Sequence, residues 1–192
     1  MSGHNKWSQI KEKKGKTDAR KGQVFSKYAK LITNEARASK GDHNASGLRT
    51  AIERARRDNM PNDNIERAIK KATEAGGTAM ENIMYEAYGP GGVALLIEVL
   101  TDSRNRAAGE VKHLLSLNNG NLAVQGAAVW AFSKEPTTDN QSTTTSQQQT
   151  TGSGWRATTT VPLEDADLEK LEKLVEALEA NDDVQEVITN AE

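Results

Sequence analysis

The sequence contains no cysteine, which excludes disulfides, thiolate zinc ligands and a thiol nucleophile together. That composition suits a reducing compartment. Aromatic residues are scarce, at 4%, so any core must be built from Leu, Ile, Val and Ala. Long apolar runs are missing too. The longest, Val93-Ala-Leu-Leu-Ile97, closes at Glu98, far short of the roughly 20 residues that span a bilayer. The basic N-terminus has no apolar stretch of the secretory kind, because Lys and Arg recur instead. These absences lead us to expect a cytoplasmic protein with no membrane partner. Catalytic patterns are equally absent: there is no HExxH, GxSxG, P-loop or CxxC. His4, His43 and His113 are far apart in the chain, and no acid pair stands out. We therefore expect no enzyme, no cofactor, no metal and no small-molecule substrate.

Charge is plentiful and unevenly placed. The whole chain sums to −2. Residues 1–80 hold 18 Lys/Arg and 9 Asp/Glu, whereas residues 81–192 hold 7 and 18, giving +9 and −11. Any single charged run can be merely a solvated helix face. A split of this size points to a basic module for a polyanion and an acidic module with another task.

Periodicity divides the chain further. Residues 1–15 are an extended arm whose only large apolar anchors are Trp7 and Ile10. Helical spacing of Val24, Phe25, Tyr28, Leu31, Ile32 and Ala36 predicts a helix from Asp18 to about Ser39, stopped by Gly41. A second runs from Ser46 to Asn59 and ends before Pro61; a third starts at Asn62 or Asp63 and stops at Gly76-Gly77. Beyond them the period shortens. Tyr85–Tyr88 reads as a short strand, Gly89-Pro-Gly-Gly92 as a tight turn and Val93–Thr101 as a buried strand. A helix over Ser103–Asn118, strands at Ala127–Ser133 and Trp155–Leu163, a helix over Asp165–Ala180 and a strand over Val184–Thr189 follow. The Thr/Ser/Gln tract 136–154 has no apolar side chain and reads as a flexible linker.

The expected fold is α+β: an N-terminal three-helix domain with a basic extended arm, then a ferredoxin-like βαββαβ domain interrupted by the linker. The expected domains are 1–78, then 79–134 with 155–192, the linker filling 135–154.

The candidate nucleic-acid contacts are the arm's Lys6, Trp7, Lys11, Lys13, Lys14 and Lys16, and the first helix's Arg20, Lys21, Lys27 and Lys30. Arg54, Arg56, Arg57, Arg67, Lys70 and Lys71 extend the patch over the second and third helices. Clustered cations neutralise phosphates and release counterions, whatever the base sequence. Trp7 has two readings, a base-stacking ring or an anchor of the arm on the helices. Arg104 and Arg106 stand at a helix start, where the macrodipole disfavours cations, and that cost hints at a function. Asp63 and Glu66 at the entry to the third helix would repel phosphate, which argues against a base-reading helix-turn-helix. The acidic half, lacking a basic-aromatic pattern on Val93–Thr101 and Trp155–Leu163, reads as a poor nucleic-acid platform.

Several segments resemble the YebC/PmpR family. They are Gly3-His4-Asn5-Lys6-Trp7-Ser8-Gln9-Ile10-Lys11 with Lys13 and Lys14, Asn59–Lys70, Tyr85–Ala94, Thr101–Arg106, Gly120-Asn-Leu122 and Leu178–Gln185. The likeness covers roughly residues 1–134 and 155–192. It implies a helical domain followed by α/β domains, in a cytoplasmic DNA-binding transcriptional regulator. Relatives, a mitochondrial translational activator among them, act instead at the ribosome, so DNA and ribosomal RNA are both implied partners. The chain departs from the family by having only the linker where a third domain is usual, and by Asn119 where glycine is usual. A separate reading makes the acidic half a protein-interaction or small-effector-sensing module.

Overall fold

The computed structural model describes Trp7 and residues 18–73, 79–134 and 154–192. The rest of the arm, the Gly76-Gly77 stop and the linker lie outside them. The described residues separate into two compact units. One holds three helices, the start of the first strand through Ile83 and Leu100–Arg104; the other holds Trp7, Met84–Val99 and Asn105 onward.

In the helical unit, α1 (Asp18–Ala38), α2 (Ser46–Arg57) and α3 (Asn62–Thr73) fall where periodicity placed them. Their core is Ile32, Ala36, Leu48, Ala51, Ile52, Ala55, Met60, Ile65, Ala68, Ile69 and Ala72, all apolar. Each fully buried Leu or Ile contributes about 1.5–3 kcal/mol. The Thr33 hydroxyl donates to the Ala68 carbonyl at 3.0 Å, tying α1 to α3 with a satisfied buried group. Helix α2 ends through Asn59 at φ 63°, a left-handed residue that Asn tolerates. The next amide, Met60, then donates back to the Ala55 carbonyl at 2.9 Å.

The sheet comprises β1 (Glu81–Tyr88), β2 (Ala94–Thr101), β3 (Asn121–Leu122) and β6 (Val184–Thr189), ordered β3-β1-β2-β6, and Met84–Tyr88, Ala94–Val99, β3 and β6 belong to the second unit. β1 pairs antiparallel with β3, and β2 antiparallel with β6, with a shift between Glu98 and Val99. Pro90–Gly92 turns β1 into β2, with Gly91 at φ 70°. The positive φ favours glycine there, and a Cβ on Gly91 would also meet Leu163 Cδ2 at 2.3 Å and oblige that side chain to shift. Helices α4 (Arg104–Leu117) and α5 (Asp165–Glu179) cover one sheet face, meeting Leu95, Ile97 and Val99. The other face, with Ala94, Leu96 and Ile188, is covered by Ala128, Ala131 and Phe132. Beside it lies a ribbon of β4 (Phe132–Lys134) and β5 (Trp155–Ala157).

The α+β class stands, but the sheet's membership differs from the ferredoxin-like plan. Strand β1 is a full eight-residue sheet member, and β3 is an additional short edge. Trp155–Ala157 pairs with Phe132–Lys134 rather than with Ala94–Thr101, whose neighbours are β1 and β6. The predicted strand Ala127–Ser133 is largely a turn with a 3-10 segment at Val129–Ala131. The cause is Glu86. Its buried carboxylate accepts the amides of Gly126 (2.6 Å), Ala128 (2.6 Å) and Val129 (2.8 Å), which curls that stretch away from extended pairing. Asn119 sits at φ 59° after α4, a position that explains why glycine or asparagine serves there.

Candidate nucleic-acid interface

In the helical unit the apolar stripes face inward, so the cations are left outside. Lys21, Arg56, Arg57, Arg67, Lys70 and Lys71 are exposed, and Lys27, Lys30 and Arg54 are half-buried. On α3, Arg67, Lys70 and Lys71 are spaced three and four apart, which puts them on one face. Arg56 Nε donates to Asn62 Oδ1 at 3.3 Å across the α2–α3 turn. The Asp58 carboxylate accepts the Tyr28 hydroxyl, which removes one acid of that turn from open display. Asp63 and Glu66 remain exposed on α3. The result is a basic surface dotted with acids, suited to backbone phosphates and not to base edges. Arg20 lies within α1; Lys6, Lys11, Lys13, Lys14 and Lys16 fall outside the described residues.

Three predicted contacts lie beside groups of the chain itself. Trp7 is 8% exposed and belongs to the core under α4 and α5, with Leu95, Leu171 and Val187. It offers no ring face to a base, and it anchors in the α/β unit, not on the helices. Arg106 Nη2 lies 2.8 Å from Asp183 Oδ2, whose side chain is 8% exposed, and Arg106 Nε is 3.9 Å from Glu110. Arg104 pairs with Glu81 at 3.4 Å. The cations that a helix start disfavours are thus compensated by acids of the chain itself.

Sequence reasoning missed the segment centred on Glu86. Burial pushes its carboxyl pKa up, but the amides of Gly126, Ala128 and Val129 outweigh that and hold it below the usual value. The Tyr88 hydroxyl donates to the Ala127 carbonyl, which also takes the Trp130 indole N–H at 2.8 Å. Trp130 is nonetheless 61% exposed and Val124 78%. A signal was present. Gly120–Ser133 contains no charged residue in a chain that is 27% charged.

Among the described residues no helix is long and apolar enough to cross a membrane. No group of three or more His, Cys, Asp or Glu among them is placed to hold a metal.

Comparison with known proteins then decides the family. The model of the TACO1/YebC protein N-terminal domain matches residues 5–75, and that of the TACO1/YebC second and third domain matches 80–148 and 137–191. The chain belongs to the TACO1/YebC family. A probable transcriptional regulatory protein of Thermoanaerobacter pseudethanolicus is 37% identical over 239 positions, covering 100% of this chain and 97% of the relative. One of Desulfosudis oleivorans, with the same description, is 53% identical over 137 residues, 70% of this chain and 56% of that one. The crystal structure of a conserved hypothetical protein from Aquifex aeolicus matches with a TM-score of 0.76 at 33% identity, covering 97% of this chain and 96% of that one. The Thermoanaerobacter alignment needs 47 more positions than this chain has residues (239 against 192). The two matches to the second- and third-domain model overlap over 137–148, inside the Thr/Ser/Gln tract. This is a short member of the TACO1/YebC family.

Proposed function

We propose that this TACO1/YebC protein is a non-enzymatic regulator of gene expression that grips a polynucleotide backbone through its basic arm and helical unit. The observation that carries this reading is the separation of roles inside that unit. Its core holds no charged group, and Arg56, Arg57, Arg67, Lys70 and Lys71 stand exposed around it. Phosphate contact is sequence-tolerant, and it falls with salt as counterions are released. The relatives' description as probable transcriptional regulatory proteins supports transcription as the setting.

The test is binding of duplex DNA and of ribosomal RNA to the full chain over a salt series. Replacing Arg56, Arg57 and Lys70 by Glu should weaken both alike and lower the salt slope by about 1 for each phosphate no longer neutralised. An unchanged slope would remove the helical unit from the site. Sedimentation of a lysate through sucrose, with and without nuclease, separates the settings. Nuclease-sensitive co-migration with ribosomes would move the protein from transcription to translation.

A further inference from the structure

The α/β unit has two unlike faces. The acidity of this half is concentrated in residues 164–192, which hold 11 Asp/Glu and 2 Lys. Residues 127–134 and 154–158, which pack on the face away from α4 and α5, hold Lys134 and Arg156 and no acid. The aromatics gather there as well: Phe132, Trp155 and Tyr88 help cover the sheet, and Trp130 stands out in solvent. Lys134 Nζ lies 5.7 Å from the Trp155 ring centroid, so cation and aromatic are already interleaved. Among the described residues, the acids of that sheet face are accounted for. Glu86 is enclosed by three amides. Glu98 and Glu186 face each other four residues along β2 from Ala94, about 13 Å away at the usual strand rise. Glu192 accepts the Thr160 hydroxyl at 2.7 Å.

Trp130 itself is held firmly. Its N–H is taken by the Ala127 carbonyl, and the loop beneath is fixed by Glu86. A rigid, exposed indole whose one donor is already satisfied offers its π surface. We propose that Trp130 stacks an unpaired base of a single-stranded nucleic acid, with Lys134 beside the backbone. Stacking of this kind is sequence-tolerant. The proposal rests on the nucleic-acid reading above and narrows it to a strand with unpaired bases.

Titration of the full chain with oligo(U) and oligo(dT), following tryptophan fluorescence and affinity, tests it. We expect quenching that disappears in Trp130→Ala, because Trp7 is buried and Trp155 half-buried. Affinity for the single strands should fall by roughly 5- to 150-fold, the range for one stacked base. Trp130→Phe keeps a ring without the N–H and should retain most of the affinity, which separates stacking from loss of the loop's hydrogen bond. Binding of duplex DNA should change little in either variant. Unchanged single-strand affinity in Trp130→Ala, with salt-dependent binding intact, overturns the stacking site and leaves the helical-unit reading standing. Absence of salt-dependent binding in the unaltered chain overturns both. A Trp130→Ala variant that loses self-association and keeps its oligonucleotide affinity makes the surface a protein contact and also overturns the proposal.

Discussion

The two units use charge in opposite ways. In the helical unit the buried cluster is wholly apolar, and Thr33, the one buried polar side chain packed between its helices among the described residues, donates to a carbonyl of α3. In the α/β unit, Glu86, Asp183 and Asn190 are buried and bonded to groups far along the chain. Glu86 reaches Gly126–Val129, Asp183 takes Arg106, and Asn190 Oδ1 accepts the Ala94 amide at 2.8 Å. The cations of α2 and α3 surround an apolar core, whereas Arg106 is paired with a buried acid of its own unit. Counting cations treats Arg57 and Arg106 alike; their surroundings separate them.

The comparison can be broken or sharpened by substitution. The largest effect should come from Leu171→Ala, which empties a fully buried position beneath the sheet. It should cost about 2–5 kcal/mol in denaturant unfolding of the α/β unit. Next, Glu86→Gln keeps the shape but leaves the three amides without a carboxylate, for an expected loss of about 1–3 kcal/mol. The sign of its pH effect follows from a lowered folded pKa. The native chain holds this stability above the ordinary glutamate value of 4.5 and loses it as pH falls through the lower folded value. An acid titration of stability should show a shallower loss in Glu86→Gln below about pH 4.5; an identical acid limb would deny Glu86 this role.

Arg106→Ala leaves Asp183 buried without its guanidinium. Because Arg106 is about half exposed, solvent screening limits the expected cost to about 1 kcal/mol. The salt slope of nucleic-acid binding should not move. A lowered slope would return Arg106 to the interface. The smallest effect on stability belongs to Arg57→Glu, within about 0.5 kcal/mol by thermal unfolding, even as polynucleotide affinity falls. Equal losses of stability in Arg57→Glu and Arg106→Ala would erase the distinction between the units.

Much of the fold was legible beforehand. Helical periodicity located α1 to α5 because burial of an apolar stripe is a local pattern, repeated every three to four residues. Ala94–Thr101 and Val184–Thr189 announced themselves as strands through short runs rich in apolar and β-branched residues, also a local pattern. The segment 127–133 did not, since its alternation of apolar residues fits a strand until a carboxylate 40 residues earlier captures its amides. The exposed cations of the helical unit were likewise readable, whereas the burial of Trp7 and the pairing of Arg104 and Arg106 were not.

Taken alone, the order of residues determined which stretches coil, which extend, and that net positive and negative charge lie in different halves. Those properties depend on neighbours a few positions apart. Folding decided which strands adjoin, which aromatic ring is hidden and which stands in solvent, and which ions are neutralised within the molecule. Such outcomes depend on partners 23 to 96 residues distant, and the burial that makes the inner partnerships strong exists only once the chain has closed around them.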